Sequence, residues 1–374
     1  MTSNDGRRVL VVNAGSSSLK LRVLGPADEV LSTADLPALS TAASADAATL
    51  SGPLKSFGPV DAVGHRIVHG GPVYQGPVLI TGEVRHRLGA LTDLAPLHQP
   101  KSLAALDAVA GLLPGVPAVA CFDTAFHATI PAAAATFALP AEWRARWTLR
   151  RYGFHGLSHS YVSSRAAEML GDSAGPSRIV TCHLGAGASL AAVHGGRSVD
   201  TTMGFTPLDG LVMATRSGAV DPGLVLWLEQ HAGMPPAELA AALESRSGLL
   251  GLAGTADMRE LLARAAAGDS PAVLGREVYL HRLRGCIATM AAAMEGLDAL
   301  VFTGGVGEHS PEVRSRAAAG LGFLGVQLDE ERNAAPPEAD DYEIGSPGAP
   351  VRTFVIAARE DKQIAADVRA TLPR

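Results

Sequence analysis

A strand–turn–strand pattern that occurs twice constrains the fold of this chain more than any other feature. The first copy, "VLVVNAGSSSLKLRV" from Val9 to Val23, has two apolar runs around a Gly/Ser turn and predicts a β-hairpin. The second lies in 178–202, "RIVTCHLGAGASLAAVHGGRSVDTT", where His183 stands 170 residues after Asn13 (183 minus 13). This spacing, about half the chain, favours an internal duplication with one copy per domain. The alternative is a chance match between two Gly-rich turns.

Length and composition indicate a globular protein of two domains. A chain of 374 residues exceeds one ordinary core, and its 47% apolar and 18% charged residues suit a folded protein. The net charge of -6 argues against a nucleic-acid surface, which needs a basic patch. No apolar run has the roughly 20 residues of a membrane span, and "MTSNDGRRVL" enters a strand without the apolar region of a signal peptide. Cys121, Cys182 and Cys286 lie in apolar surroundings without a C-x-x-C pair, which predicts reduced cysteines in a cytosolic protein.

The rest of the chain alternates between helical and strand patterns, which favours an α/β protein rich in parallel strands. The segment 27–56 carries little information and is interpreted as surface structure. The other predicted segments are a buried strand in 61–71, a helix after Pro100, a strand in 116–122, a solvated acidic loop at 329–350, and a final strand and helix.

A third Gly-rich turn occurs in "ALVFTGGVGEHSPEVR", where Ser310 and Pro311 predict the start of a helix. Such a turn presents backbone N–H groups beside the strand ends, where they can bind an anion. The chain contains no Walker loop, and neither this turn nor the turn at 185–190 satisfies G-x-G-x-x-G. The two hairpins and this turn predict a nucleotide clamp of another architecture, in which domain closure excludes water from phosphoryl transfer.

The chain resembles the acetate kinases, the acetokinase family of the acetate and sugar kinase/Hsp70/actin superfamily. Nine segments along nearly the whole chain carry the resemblance: "NAGSSSLK", "GHRIVHGG", "LAPLHQP", "FDTAFHATIP", "RRYGFHGLSH", "CHLGAGASL", "DTTMGFTPLDGL", "ATRSGAVDPG" and "TGGVGEHS". It implies an α/β fold of two duplicated actin-like, ribonuclease H-like domains with a nucleotide cleft between them. The implied domains are 1–124, completed by the helix 361–374, and 125–360.

The implied reaction is reversible transfer of the ATP γ-phosphoryl group to acetate, which gives acetyl phosphate and ADP. A carboxylic acid is already ionised at pH 7, so it needs no general base, and the difficulty is the approach of an anion to a polyanion. The machinery is therefore expected to be cationic, with arginines and a metal ion. Arg66 and Arg216 suit this task because a guanidinium binds carboxylate and phosphoryl oxygens in pairs. The alternative for each is a surface ion pair.

The resemblance also implies individual roles. It gives catalytic roles to Arg66, Asp123, His155 and Arg216, and a magnesium site, with Mn²⁺ as a substitute, to Asn13 and Glu360. His98 lies close by in the family pattern. Packed core histidines and a turn role for Asn13 are the alternatives.

The implied nucleotide contacts are Lys20, His183, Leu184, Gly185, Ala186, Gly187, Asp257, Met258, Arg259, Gly305, Val306, Gly307, Glu308 and His309. The implied acyl pocket consists of Arg66, Val68, Leu97, Phe154 and Pro207, and core packing is the alternative for its apolar members. A homodimer and a cytoplasmic location are implied as well.

Three residues depart from the family pattern, in which Ala186, His309 and Arg359 are commonly asparagine. These departures bear on nucleotide affinity and preference rather than on the reaction. The nearest alternative function is a propionate or butyrate kinase, which differs in pocket volume. A superfamily ATPase without an acyl substrate is more distant. A sugar kinase is disfavoured because a hydroxyl nucleophile needs a base.

Overall fold

The computed structural model describes residues 6–15, 18–37, 43–96, 98–171, 175–335 and 337–373. The chain forms two compact units. Unit 1 consists of Met1–Ala128, Phe154–Tyr161 and Arg359–Arg374, and unit 2 consists of Thr129–Gly153 and Val162–Ala358.

Both units combine strands and helices. The strands are β1 (Val9–Ala14), β2 (Ser18–Leu24), β3 (Val30–Pro37), β4 (Ala62–Ile67), β5 (Val78–Leu79), β6 (Ala118–Phe122), β7 (Arg178–Leu184), β8 (Ala188–His194), β9 (Arg197–Thr201), β10 (Ala299–Thr303), β11 (Asp341–Glu343) and β12 (Arg352–Ile356). The α-helices are α1 (Ala43–Phe57), α2 (Gly82–Gly89), α3 (Gln99–Leu112), α4 (Ala132–Ala135), α5 (Ala141–Trp147), α6 (Gly156–Leu170), α7 (Pro222–Gln230), α8 (Pro236–Ser245), α9 (Gly248–Ala253), α10 (Met258–Ala266), α11 (Ser270–Ala292), α12 (Gly304–His309), α13 (Pro311–Ala319), α14 (Glu330–Ala334) and α15 (Glu360–Thr371). Short 3₁₀ helices occupy Thr92–Leu94, Ala125–Thr129 and Gly322–Leu324. Among the helices of the described segments, none has the length and apolarity needed to cross a bilayer.

The sheet of unit 1 has six strands in the order β3-β2-β1-β4-β6-β5. Strands β1, β2 and β3 form an antiparallel meander, whereas β1, β4 and β6 run parallel. The run from Val9 to Val12 is buried throughout, as expected for a strand covered on both faces. The predicted hairpin is present, and its register pairs Asn13 with Lys20.

The sheet of unit 2 repeats this plan. Its order from the other edge is β9-β8-β7-β10-β12-β11, with the meander in β7, β8 and β9 and parallel pairing of β7, β10 and β12. The backbone N–H of Gly15 donates to Ser18 at 2.8 Å in the first hairpin turn, and Gly185, 170 residues later (185 minus 15), donates to Gly187 at 3.0 Å. The structure therefore confirms the duplication that the sequence predicted.

Helix α15 completes unit 1, although it lies at the far end of the chain. Its residues Ile364, Ala365 and Val368 are fully buried in a core shared with β1, β4 and β6. A Cβ atom on Gly64 of β4 would lie 2.4 Å from Cγ2 of Ile364. Glycine at this position lets the helix pack directly on the sheet.

Three local predictions are corrected by the structure. The segment 27–56 contains β3 and most of α1, and Leu50 and Leu54 of α1 are core residues. The acidic segment 329–350 is not a continuous loop, since it contains α14 and the edge strand β11. The Gly-rich turn after β10 is the short helix α12, and the predicted cap follows it: the Ser310 hydroxyl accepts from Val313 N.

Candidate active site

Three parallel strands of unit 1 bring predicted site residues to one edge of the sheet. Asn13 lies near the end of β1, Arg66 near the end of β4, and Asp123 directly after β6. Because β1, β4 and β6 are parallel, their carboxyl ends lie at the same edge. Glu360, the first residue of α15, joins them through a hydrogen bond from Asn13 Nδ2 to its Oε2 at 2.8 Å.

Arg66 is the centre of this cluster. Its Nε donates to Asp123 Oδ1 at 3.0 Å and its Nη2 to Asp123 Oδ2 at 2.7 Å, which is a bidentate pair. Its Nη1 donates to Asn13 Oδ1 at 3.0 Å and lies 3.5 Å from Glu360 Oε2. The guanidinium is thereby fixed in direction by three of the residues that the sequence predicted.

The cluster holds two carboxylates against one arginine. Burial opposes the charge of Arg66, but Asp123 and Glu360 outweigh it and raise the pKa of Arg66. Burial raises the pKa of Asp123, and the charge of Arg66 opposes that rise. The Asp123 side chain is 2% exposed, whereas those of Arg66 and Glu360 are 15% and 13% exposed. Asp123 is thus the buried anchor, and the other two remain partly accessible.

The segment that carries His155 has an unusual backbone. His155 has φ +57°, a left-handed conformation that residues other than glycine seldom adopt. Gly156 N donates to Asp123 O at 2.8 Å, and His127 Nε2 lies 3.1 Å from the Phe154 carbonyl oxygen. A carbonyl oxygen only accepts, so Nε2 of His127 carries the proton. These two bonds flank His155 and hold it in that conformation.

His127 was not among the predicted site residues, although it lies within "FDTAFHATIP". It is fully buried, and burial lowers the pKa of His127 to about 4, so the ring is neutral near pH 7. The only signal in the sequence was its place in a motif. Its role depends on a contact with a residue 27 positions away, Phe154. The predicted His98 precedes α3 and is half-buried.

Two of the predicted acyl-pocket residues are buried in unit 1. Val68 is 6% exposed and Phe154 is 1% exposed, and the His69 ring meets the Phe154 ring edge-on with 5.5 Å between centroids. The side-chain amide of Gln99 accepts from His69 N at 3.4 Å and donates to His69 O at 3.3 Å. The sequence did not reveal that Gln99 binds the backbone of His69, the residue next to Val68. Leu97 lies outside the described residues.

The other pocket residue, Pro207, lies in unit 2 beside Arg216. Arg216 Nη1 donates to Pro207 O at 3.4 Å and lies 3.8 Å from Met213 Sδ. Burial lowers the pKa of Arg216. Gly248, at φ +62°, packs under this loop, where a Cβ atom would lie 2.2 Å from Met213 O. The structure thus brings two predicted residues of unit 2 together.

The second hairpin places the predicted phosphate contacts at the end of β7. Within it, His183 is half-buried, Leu184 is buried and Ala186 is exposed. Ala186 O accepts from Ala214 N at 3.1 Å, which joins the hairpin to the loop that carries Arg216. Lys20, the predicted nucleotide contact in the first hairpin, is exposed on β2.

Helix α12 carries the predicted nucleoside contacts. Gly305 and His309 are exposed, Val306 is half-buried and Gly307 is buried. Oε1 of Glu308 accepts from Gly304 N at 2.8 Å and from Ala358 N at 3.0 Å. The N–H of Gly304 is therefore bound by this carboxylate, so it is not one of the backbone N–H groups of the turn that can bind an anion.

The remaining predicted contacts form the start of α10. Asp257 is its N-cap and accepts from Arg259 N at 2.8 Å, while Arg259 Nη2 donates to Asp257 Oδ2 at 2.7 Å. The hydrogen bond from the Arg259 side chain is the main cause that lowers the pKa of Asp257 to about 2. Met258 is buried and Arg259 is exposed.

Within the described residues, no group of three or more His, Cys, Asp or Glu side chains is arranged to hold a metal ion. Two sheets of the same order, a Gly-rich hairpin in each, and a partly accessible arginine–carboxylate cluster define the class of protein, an α/β phosphotransferase of the actin-like type.

Comparisons with known proteins identify the family. The model of the acetokinase family matches residues 38–366. The chain is 46% identical to an acetate kinase of Deinococcus radiodurans over 95% of this chain and 96% of that one. It is 48% identical to an acetate kinase of Nostoc punctiforme over 82% of this chain and 75% of that one. The crystal structure of the acetate kinase of Porphyromonas gingivalis is 36% identical, with a TM-score of 0.88 over 98% of this chain and 100% of that one. A propionate kinase of Francisella tularensis is 34% identical, with the same TM-score of 0.88 over 98% of this chain and 100% of that one.

The chain belongs to the acetokinase family. Its reaction is the transfer of a phosphoryl group from ATP to a carboxyl group, and acetate kinase is the activity that the comparisons support best.

Proposed function

We propose that the Arg66 cluster and Arg216 carry the acetate kinase reaction of this chain. The observation that supports this most is the pair of hydrogen bonds from Arg66 to the carboxylate of Asp123. Because Asp123 is buried, these bonds fix the direction of a guanidinium that is itself partly exposed. Acetate approaches ATP as an anion, so the barrier is electrostatic rather than one of proton transfer. Arg66 binds the carboxylate of acetate, and Arg216 offsets the charge that spreads over the transferring phosphoryl oxygens.

Asp123 acts in this proposal through Arg66 and through the backbone. Its side chain orients the guanidinium, and its carbonyl oxygen accepts from Gly156, next to His155. His155 then donates a hydrogen bond to the transferring phosphoryl group. Val68 and Phe154 contact the methyl group of acetate in this proposal, and Leu97 and Pro207 remain predicted contacts of the same group.

The donor set of the cluster fits Mg²⁺. Asn13 and Glu360 offer an amide oxygen and a carboxylate, and Mg²⁺ binds through one or two carboxylates while it keeps several waters. Two carboxylates against one arginine also leave an excess negative charge that a divalent cation offsets. Asn13 and Glu360 would hold Mg²⁺, or Mn²⁺ in its place, and the ion would offset the negative charge of the ATP phosphates. Chelation is expected to abolish turnover, and added Mg²⁺ to restore it.

ATP and ADP bind in this proposal along unit 2 and the first hairpin. The hairpin residues Lys20, His183, Leu184, Gly185, Ala186 and Gly187 contact the phosphates. The residues Asp257, Met258, Arg259, Gly305, Val306, Gly307, Glu308 and His309 contact the nucleoside. The exposed faces of Gly305 and His309 support this assignment.

The test uses hydroxylamine to trap the acyl phosphate as a hydroxamate. Arg66→Ala and Arg216→Ala are each expected to reduce the rate by at least about a thousandfold, since each removes a preorganised charge. Arg85→Ala is the matched control, because Arg85 makes a similar bidentate pair with Asp107 at 2.7 Å on the surface of unit 1. Full activity in either Arg66→Ala or Arg216→Ala would contradict the assignment.

Substrate preference is the second question, because a propionate kinase matches the structure as well as an acetate kinase does. One methylene group in an apolar pocket is worth about 1–3 kcal/mol. We propose acetate as the preferred acid, so kcat/KM is expected to fall from acetate to propionate to butyrate. The opposite order would support a propionate or butyrate kinase.

We propose in addition a cytoplasmic homodimer with domains 1–124 plus 361–374 and 125–360. Helix α7 supports the dimer, because its side chains Leu224, Leu226 and Trp227 are 50%, 51% and 53% exposed and no residue of the helix is buried. Sedimentation tests the dimer: the wild type is expected to sediment as a dimer and Trp227→Glu as a monomer. A wild type that sediments as a monomer would contradict it.

A further inference from the structure

Arg314 of α13 is the largest fully buried side chain of the described residues, with an exposed fraction of 0%. Each of its four hydrogen bonds goes to a neutral oxygen. Nε donates to Asn333 Oδ1 at 2.8 Å and Nη2 to Asn333 O at 2.9 Å, while Nη1 donates to Gly307 O at 2.9 Å and Glu308 O at 2.8 Å. Burial of a charge without an opposite charge beside it is costly, and hydrogen bonds offset only part of that cost. The position of Arg314 therefore suggests a role for the groups that it binds.

The two carbonyl groups that Arg314 Nη1 binds belong to α12. Gly307 and Glu308 stand in its last turn, where carbonyl oxygens lack partners within the helix and carry partial negative charge. At the other end, the Glu308 carboxylate binds Gly304 N and Ala358 N. Both ends of α12 are thus held by charged side chains.

Helix α12 depends on these contacts because its sequence does not favour a helix. It has six residues, "GGVGEH", three of which are glycine. An isolated helix of this length is unstable in water, and each glycine costs about 1 kcal/mol relative to alanine. Its conformation is therefore imposed by packing and by the Arg314 and Glu308 bonds.

We propose that Arg314, held by Asn333, is a positioning residue that fixes α12 and thereby sets the affinity for the nucleoside part of ATP and ADP. This inference rests on the proposed contact between Gly305–His309 and the nucleoside. Arg314 does not touch substrate in this account. Its loss frees the exposed face of α12 to move, and each binding event must then order it again.

The test compares KM for ATP with KM for acetate. In Arg314→Lys, KM for ATP is expected to rise about tenfold while KM for acetate stays within about twofold. Inorganic tripolyphosphate, which has no nucleoside, is expected to inhibit wild type and variant equally. Arg284→Lys is the matched control, because Arg284 also donates to a helix carbonyl, Arg316 O at 2.6 Å, but this exposed bond goes to α13 and not to α12.

Asn333→Ala is a milder variant that decides the question if Arg314→Lys does not fold. It removes the acceptor of Nε but keeps the bonds of Nη1 to α12, so KM for ATP is expected to rise about threefold. Unchanged KM for ATP in a folded variant, or an equal rise in KM for acetate and in the inhibition constant of tripolyphosphate, would overturn the inference.

Gly305→Leu separates this inference from the proposed function. Gly305 is exposed, and apart from its chain neighbours and the backbone of α12, a Cβ atom there meets no atom of the described residues within 4 Å, so leucine is expected to fit and to meet a ligand on α12. A raised KM for ATP in Gly305→Leu without one in Arg314→Lys refutes the positioning role alone. An unchanged KM in both refutes the nucleoside contact itself.

Discussion

Gly156→Ala tests how closely the backbone next to His155 is tied to Asp123. Gly156 begins α6, and its N–H donates to Asp123 O at 2.8 Å. A Cβ atom at this position would lie 2.2 Å from Asp123 O and 2.9 Å from Phe126 Cβ. Optimal contacts between such atoms are about 3.5–4.0 Å, so one segment must move by more than about 1 Å.

The cost has two parts. Overpacking of a buried position costs about 1–3 kcal/mol, and loss of the hydrogen bond to Asp123 O costs about 0.5–1.5 kcal/mol. The free energy of unfolding is thus expected to fall by about 1.5–4.5 kcal/mol. Because the same movement displaces Asp123 and hence Arg66, turnover is expected to fall about a hundredfold, the usual effect of a misplacement near 1 Å.

Gly111→Ala is the matched control in the same unit. Gly111 is exposed in α3, and a Cβ atom there has no atom within 4 Å. Alanine in an exposed helix is expected to raise the free energy of unfolding by about 0.5–1 kcal/mol, with no change in turnover. Urea denaturation measures the free energy of unfolding of both variants, and the hydroxamate assay measures their turnover. If Gly156→Ala were as stable and as active as Gly111→Ala, the link between Asp123 and the His155 segment would be refuted.

Three further predictions concern titration and thiols. Burial lowers the pKa to about 4 in three histidines of unit 1: His65, His69 and His127. Because the pKa of each histidine is lower in the folded state, the stability that comes from the neutral rings is fully present above about pH 6.5 and is lost as pH falls toward 4. Acid unfolding monitored by circular dichroism is therefore expected in that window. An unchanged stability between these pH values would contradict the prediction. Burial raises the pKa of Asp367 to about 6, so the folded protein binds a proton there more tightly than the unfolded chain does. The stability that this proton gives is lost as pH rises through 6. Asp367→Asn is therefore expected to stabilise the protein at pH 8 but not at pH 4 in calorimetry. Burial also raises the pKa of Cys121 and Cys182, so iodoacetamide is expected to leave both unmodified in the native protein, and their rapid alkylation would contradict the packing.

The sequence predicted the hairpins and the duplication because their signals are local. An apolar run on each side of a Gly-rich turn specifies both strands and the reversal between them, and the copy at Gly185 repeats that at Gly15. The strand β3 was missed because it is an edge strand with no buried residue, so its sequence lacks apolar alternation. The helix α1 was missed because Pro53 lies within it, and packing of Leu50, Leu54 and Phe57 against the core outweighs that signal.

The site residues were predicted individually, but their contacts were not. Asn13 and Glu360 are 347 positions apart, and only the fold shows that their side chains meet. The roles of Glu308 and Arg314 were missed for the same reason, because Glu308 binds Ala358 N, 50 positions away. Local patterns identify a helix or a turn, whereas the partners of a buried polar group depend on the whole topology.

Unit 1 consists of three separate stretches of chain, which affects how it forms during synthesis. Its sheet is translated first, but α15 is translated more than two hundred residues later, after unit 2. Until Ile364 and Val368 arrive, the face of β4 that they cover stays exposed, and until Glu360 arrives the cluster around Arg66 is incomplete. All of unit 2 is therefore available for folding before unit 1 is complete, and unit 1 must wait in a state in which exposed apolar surface invites aggregation and chaperone binding.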